Sequence, residues 1–330
     1  MAADMIPPAT APDFLAANGW AGAEIVPLAG DASFRRYFRA IAPGRQAVLM
    51  DSPPALEDPR PFIAIAGHLA GLGFAAPQIL ASDLPNGLVL LEDFGDARMR
   101  EVVDEAPERE EAIYADAVSL IARLHRHGPA DIRPYDRAEY LREVNLLTEW
   151  YCPAVDVALD QAGYEAAWDA ALARLYGADA RGVTVLRDYH AENIMLIAGR
   201  EGVDGLGLLD FQDALAGHPA YDLVSLLQDA RRTVSPELEA RMLAHYVGEA
   251  APDAGFETAY ALLGAQRNAK IVGIFMRLNV RDGKPRYLSY LPRVWAYLER
   301  DLAHPALAPV KAWFDAHLPA DKRAAAWSGL

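Results

Sequence analysis

LRDYHAENIMLI at residues 186–197 and LGLLDFQDA at residues 206–214 place polar groups at the ends of short apolar strands, read at 183–186, 194–197 and 206–209. Asp188 leaves one strand into a loop, Asn193 returns just before the next, and Asp210 ends the strand expected to pair with it. GREGVDG, at residues 199–205, has the glycines of a hairpin turn. Two turns of chain therefore aim three oxygen-bearing side chains at one point. Phosphoryl transfer requires such a set, because one carboxylate must position and deprotonate a hydroxyl while other oxygens hold the magnesium that neutralises the phosphates. Singly, Asp and Asn most often cap turns; it is the spacing of all three at strand ends that points to chemistry.

Upstream, residues 25–28, 36–40 and 47–50 read as short strands separated by the turn-rich AGDAS and APGR, so the chain begins with an antiparallel sheet. After the Pro-rich break DSPPALEDPRP, residues 62–72 carry apolar side chains at helical spacing, with Pro61 as a first-turn proline. The continuous apolar run at 88–91 reads as a buried strand leaving into EDFGD. The lobe boundary is expected there, giving an N-terminal nucleotide-binding lobe at 1–95 and a catalytic and substrate-binding lobe at 96–330. The charge-dense REVVDEAPEREEA reads as a solvated face. Ile113, Ala117, Leu120, Ile121 and Leu124 then mark one face of a core helix ending near His125 and Gly128, and the chain from Tyr221 onward is mainly helical by pattern. The fold class is α+β: a small antiparallel-sheet lobe followed by a larger, mainly helical one.

Composition narrows the partners. A net charge of −15 argues against a nucleic-acid or anionic-membrane surface, which calls for clustered Lys and Arg, so the partner is expected to be a small molecule. The single cysteine, Cys152, cannot form an intramolecular disulfide and reads as packing. The first residues show acids and prolines where an export signal has a basic start and an apolar run, and no apolar run nears the roughly 20 residues that span a bilayer. The expected compartment is the cytoplasm; oligomeric state leaves no trace in the sequence.

Residues 186–193 resemble the catalytic loop of the aminoglycoside phosphotransferase-like kinase superfamily, which shares its fold with protein kinases. That loop runs approximately H-G-D-x-H-x-x-N, and the Asp, second His and Asn stand here as Asp188, His190 and Asn193. The family's metal-binding I-D-[WF] matches Leu209-Asp210-Phe211, and the helix end at Leu124-His125 and GHPAYDL, with Asp222, resemble further family segments. The resemblance implies a two-lobed protein-kinase-like enzyme using ATP and Mg2+, with Asp188 as catalytic base and Asn193 and Asp210 as metal ligands. It also implies that the turn containing Gly30, Asp31, Ala32 and Ser33 folds over the nucleotide phosphates, and that backbone near Glu92 and Phe94 contacts adenine. One departure stands out. The family's third strand usually ends in a phosphate-binding lysine, whereas this one ends in Met50; Arg35, Arg36 and Arg39 are the replacements on offer, and alternation puts Arg35 and Arg39 on the face opposite Arg36.

Within the superfamily, GDASFRRYFR, Met50-Asp51-Ser52-Pro53-Pro54 and QRNAKIVGIFMRL most resemble bacterial anomeric kinases of N-acetylmuramate and N-acetylglucosamine. This implies phosphorylation of the C1 hydroxyl of an amino sugar in cell-wall recycling. Gln266, Arg267, Asn268 and Lys270 suit a lactate carboxylate and an acetamide, with His190 and Asp188 the other substrate candidates; Glu149 and Trp150 sit where a sugar ring could stack. The alternatives are a kinase of another hydroxylated metabolite or an aminoglycoside, and a catalytically silent nucleotide-binding scaffold. A choline site calls for an aromatic cage, and an aminoglycoside site for acidic residues.

Overall fold

The computed structural model describes residues 5–28, 34–176 and 182–323. The chain packs into two compact units, one formed by Met1–Asp116 and Glu192–Asp213, the other by Ala117–Ala191 and Ala214–Leu330.

The first unit is built on a five-stranded antiparallel sheet. In chain order its strands are β1 (Glu24–Pro27), β2 (Arg36–Ala42), β3 (Arg45–Asp51), β4 (Ile79–Asp83) and β5 (Leu88–Glu92), laid side by side as β1-β2-β3-β5-β4. Strand alternation sends Phe38 and Ala40 of β2, Ala47 and Leu49 of β3, and Leu88 and Leu90 of β5 to one face, where they pack with Phe14, Leu15 and Trp20 from the helix Ala11–Ala17 and its C-terminal turn. Leu88, Val89, Leu90 and Leu91 are all buried, so β5 is covered on both faces, as its unbroken apolar run suggested. The register pairs Arg36 with Asp51, and Leu49 with Leu90. The helix Arg60–Gly71 follows the Pro-rich break.

The hairpin of β7 (Ile194–Leu196) and β8 (Leu206–Leu208) belongs to this same unit. It is tied in by the hydrogen bonds Leu208 N to Ala75 O, 2.8 Å, and Leu196 N to Ala97 O, 2.7 Å. A Cβ on Gly207 would sit 2.6 Å from the Phe94 ring, so only glycine lets Phe94 lie flat on β8.

The second unit is mainly helical, with one small pair of strands, β6 (Val183–Val185) and β9 (Leu215–Gly217). Its longest helix, Phe256–Val280, is apolar on nearly every side and runs through the core; it buries Gln266, Arg267 and Asn268 as well. Such a helix must pair its polar groups internally. It crosses very close to the end of the helix Arg137–Leu146, where a Cβ on Gly273 would meet the Leu146 carbonyl carbon at 2.2 Å. A π turn at Leu147–Tyr151 continues that second helix. Cys152 is fully buried and free, as expected of a packing residue. Among the described residues, no helix is long and apolar enough to cross a membrane.

Candidate active site

The loop after β6 belongs to the second unit and is held by its backbone. Arg187 adopts φ +69°, a left-handed conformation that costs a non-glycine residue about 1 kcal/mol or more and persists only where neighbours enforce it. The neighbour is Asp222: one carboxylate oxygen accepts from Leu186 N and the other from Arg187 N, both at 2.9 Å. Asp222 is wholly buried, and His125, whose Nε2 lies 3.7 Å from it, is fixed in turn by a 2.9 Å bond between its Nδ1 and the Tyr246 hydroxyl. The family segments around His125 and Asp222 thus meet at the root of the loop. Two tight turns follow, Asp188 N to Leu186 O and His190 N to Asp188 O, at 2.9 and 3.1 Å. They leave Asp188 half-buried and His190 buried.

Behind Arg187 lies a buried ionic hub centred on Glu143. Its carboxylate accepts from Arg187, from the Tyr135 hydroxyl and from Gln266 Nε2 at 3.0 Å, and lies 2.7 Å from Lys270 Nζ. Burial opposes ionisation of Glu143, but Lys270 and Arg187 outweigh it and bring the pKa from 4.5 to about 2. Of the residues expected at a substrate site, Lys270 is therefore engaged by Glu143, and Asn268 donates to Gln228 Oε1 at 2.6 Å. His190 Nε2 lies 3.1 Å from Arg231 Nη1, and burial, with Arg231 and Arg267 beside it, keeps the imidazole neutral. Arg267 is 4 % exposed, and its Nη1 has no hydrogen-bond partner among the described residues. Glu149 is exposed and Trp150 half-buried on the π turn.

In the first unit, Asn193 and Asp210 come together. The Asn193 carbonyl accepts from Leu209 N at 2.9 Å, and the Asn193 side-chain amide lies 3.4 Å from Asp210 Oδ2. Asp210 adopts φ +57°, and the next residue, Phe211, is buried and stacked on Phe62 with ring centroids 4.9 Å apart, which fixes the direction of the aspartate. Oδ1 accepts from Arg35 Nη2 at 2.8 Å and Gln212 Nε2 at 3.0 Å, leaving Oδ2 as the oxygen turned to Asn193. The donor set suits a hard divalent cation: a carboxylate oxygen and an amide that presents its own oxygen after a half-turn, with phosphate and water completing the shell. Among the described residues, no cluster of three or more His, Cys, Asp or Glu competes for such an ion.

Glu92 exchanges hydrogen bonds with Gln78, its N–H donating to the Gln78 carbonyl at 2.9 Å while its carboxylate accepts from Gln78 N at 3.3 Å; Phe94 rests on Gly207. Gly30, Asp31, Ala32 and Ser33 lie outside the described residues. Sequence reasoning missed Glu57, Gln212, Glu143 and Arg231. Only Glu143 left a signal, an acidic residue on the buried face of its helix beside Tyr140 and Val144. The segment read as a solvated face also supplies Arg100, whose guanidinium holds the Glu192 carboxylate of the 186–193 loop.

The sequence has relatives across nearly its whole length. The N-acetylmuramate/N-acetylglucosamine kinase of Caulobacter vibrioides is 38 % identical, covering 94 % of this chain and 96 % of that protein. The kinase of the same name from Pseudomonas aeruginosa is also 38 % identical, with 90 % of each chain covered. Among solved structures, an aminoglycoside phosphotransferase with ADP bound has the same fold, with a TM-score of 0.57 at 14 % identity over 84 % of this chain and 92 % of that one. Residues 24–259 match the profile of the phosphotransferase enzyme family. The protein is a kinase, and this chain belongs to that family.

Proposed function

We propose that the protein transfers the γ-phosphoryl group of ATP, with Mg2+, to the anomeric C1 hydroxyl of N-acetylmuramate, N-acetylglucosamine or both. The observation that carries the substrate is the 38 % identity, over nearly all of both chains, to a kinase named for these two sugars. Asp188 accepts the hydroxyl proton as the sugar oxygen attacks phosphorus and ADP departs. Asn193 and Asp210 would hold the magnesium, which would supply neutralisation of charge on the phosphate oxygens. Asp222 and His125 keep the Asp188 loop in a single geometry, so that little rearrangement is left for the reaction itself. The sugar is expected to contact His190 and Arg267, and the proposed setting is cell-wall recycling in the cytoplasm.

Asp188→Asn tests the base. It keeps the shape and removes only the proton acceptor, so kcat should fall about 100- to 10,000-fold while ATP affinity and the thermal midpoint stay near wild type. Wild-type turnover by this variant would remove Asp188 from the role.

A further inference from the structure

Met50, where the third strand of this fold usually supplies a lysine for the nucleotide phosphates, is fully buried. The first unit therefore needs another cation, and the three arginines on offer are distinguished by their partners. Arg36 is 39 % exposed and donates from Nε to Asp51 at 2.7 Å, across the β2–β3 register. Arg39 is clasped by Asp93, from Nε at 2.6 Å, and by Asp96, from Nη2 at 2.8 Å. Both are occupied away from Asp210. Arg35 is 5 % exposed, and its guanidinium reaches Asp210 Oδ1 at 2.8 Å and Gln212 Oε1 at 2.5 Å, while Nε lies 2.9 Å from Glu57.

We infer that Arg35 is the nucleotide-binding cation of this chain, standing in for the missing third-strand lysine, and that Glu57 and Asp210 hold it at the metal carboxylate. A buried guanidinium with a carboxylate on either side has its charge offset and its plane fixed, so it meets a ligand already oriented. Gln212 and Asp210 each accept one hydrogen bond from an Nη, and every Nη carries a second hydrogen. Charged donors of this kind suit a phosphate's oxygens. Because Asp210 Oδ1 is taken by Arg35 and Gln212, the same contact leaves Oδ2 beside Asn193, so cation and metal ligands share one carboxylate. Glu57, in the Pro-rich DSPPALEDPRP segment, thereby gains a part: it orients Arg35 rather than touching the nucleotide.

The inference rests on ATP being the phosphoryl donor, and the test separates the two. Calorimetric titration of ATP and of adenosine into wild-type protein and Arg35→Met, Arg35→Lys and Glu57→Gln, without acceptor sugar and in EDTA and in Mg2+, reads binding alone. Arg35→Met should weaken ATP about 10- to 100-fold, the worth of one or two charge-assisted hydrogen bonds, and adenosine less than about 2-fold. Arg35→Lys, which keeps the charge but not the fork, should fall between, and it carries the test should the methionine variant fail to fold. Glu57→Gln should leave ATP within about 3-fold of wild type, since the cation remains. ATP binding by Arg35→Met or Arg35→Lys at wild-type strength would overturn the inference, as would equal losses for ATP and adenosine. Failure of the wild-type protein to bind ATP at all would instead overturn the donor assignment.

Discussion

Glu143→Gln removes the charge from the hub behind the Asp188 loop and leaves Lys270 and Arg187, 12 % and 9 % exposed, facing a neutral amide. Breaking a buried ion pair from one side costs about 3–5 kcal/mol, because the remaining charge stays buried without its counterion. The lowered pKa of Glu143 points to the same order: a fall from 4.5 to about 2 on folding corresponds to about 3 kcal/mol at neutral pH, at 1.36 kcal/mol per pH unit. The two agree, and against a total of about 5–15 kcal/mol the loss is large. Since the folded pKa is depressed, this stability is fully present above about pH 4.5 and is lost as pH falls toward 2. Urea unfolding of both proteins at pH 7 should therefore separate them by about 3 kcal/mol, and at pH 3 by about half as much. A gap below about 1 kcal/mol at pH 7, or one that does not shrink in acid, would refute the view that Glu143 is the charged keystone of this network.

Two further outcomes follow from the second unit. Burial pushes Asp301, which accepts from Gln228 and Asn268, from 3.8 up to about 8. A raised folded pKa means its contribution is complete below about pH 4 and is lost as pH rises to 8, so Asp301→Asn should flatten that part of the stability–pH curve, and identical curves in urea titrations from pH 5 to 9 would contradict this. Cys152 is fully buried and its thiol is pushed up to about 12 by burial, so the native protein should resist a thiol-specific disulfide reagent that reacts at once in urea; prompt native labelling would contradict its place in the core.

The parts of the fold that were legible in the sequence are those whose pattern is local. Alternation in β2 and β3, the apolar run of β5 and the spacing of Asp188, Asn193 and Asp210 each sit within a few consecutive residues. β4 escaped because ILASD alternates only between half-buried and exposed, and its pairing with β5 is interrupted at Ile79/Ala81. β6 is the strand read at 183–186, whereas β9, at three residues, is too short for a period to register. The Glu143 hub gathers Tyr135, Arg187, Gln266 and Lys270 from separate segments, and no spacing rule connects them. The choice among Arg35, Arg36 and Arg39 was likewise closed to sequence, since alternation sorts faces but not partners; only the ion pairs to Glu57 and Asp210 single out Arg35. His190 reads in the sequence as the second His of the loop motif, and Arg267 and Asn268 as groups suited to a carboxylate and an acetamide; all three are buried and their partners divide them: His190 lies beside Arg231, Asn268 serves Gln228, and Arg267 Nη1 has no hydrogen-bond partner among the described residues.

The most direct test of the central claim is phosphorus NMR of the products formed from ATP and Mg2+ with N-acetylmuramate, N-acetylglucosamine, choline or kanamycin, run alongside ADP release. A sugar 1-phosphate is expected from one or both amino sugars, formed about 100- to 10,000-fold more slowly when Asp188→Asn replaces the wild-type protein. Phosphorylation of choline or kanamycin with no sugar 1-phosphate would contradict the substrate assignment, and ATP binding with no product from any acceptor would contradict the reading of Asp188, Asn193 and Asp210 as a working phosphoryl-transfer site.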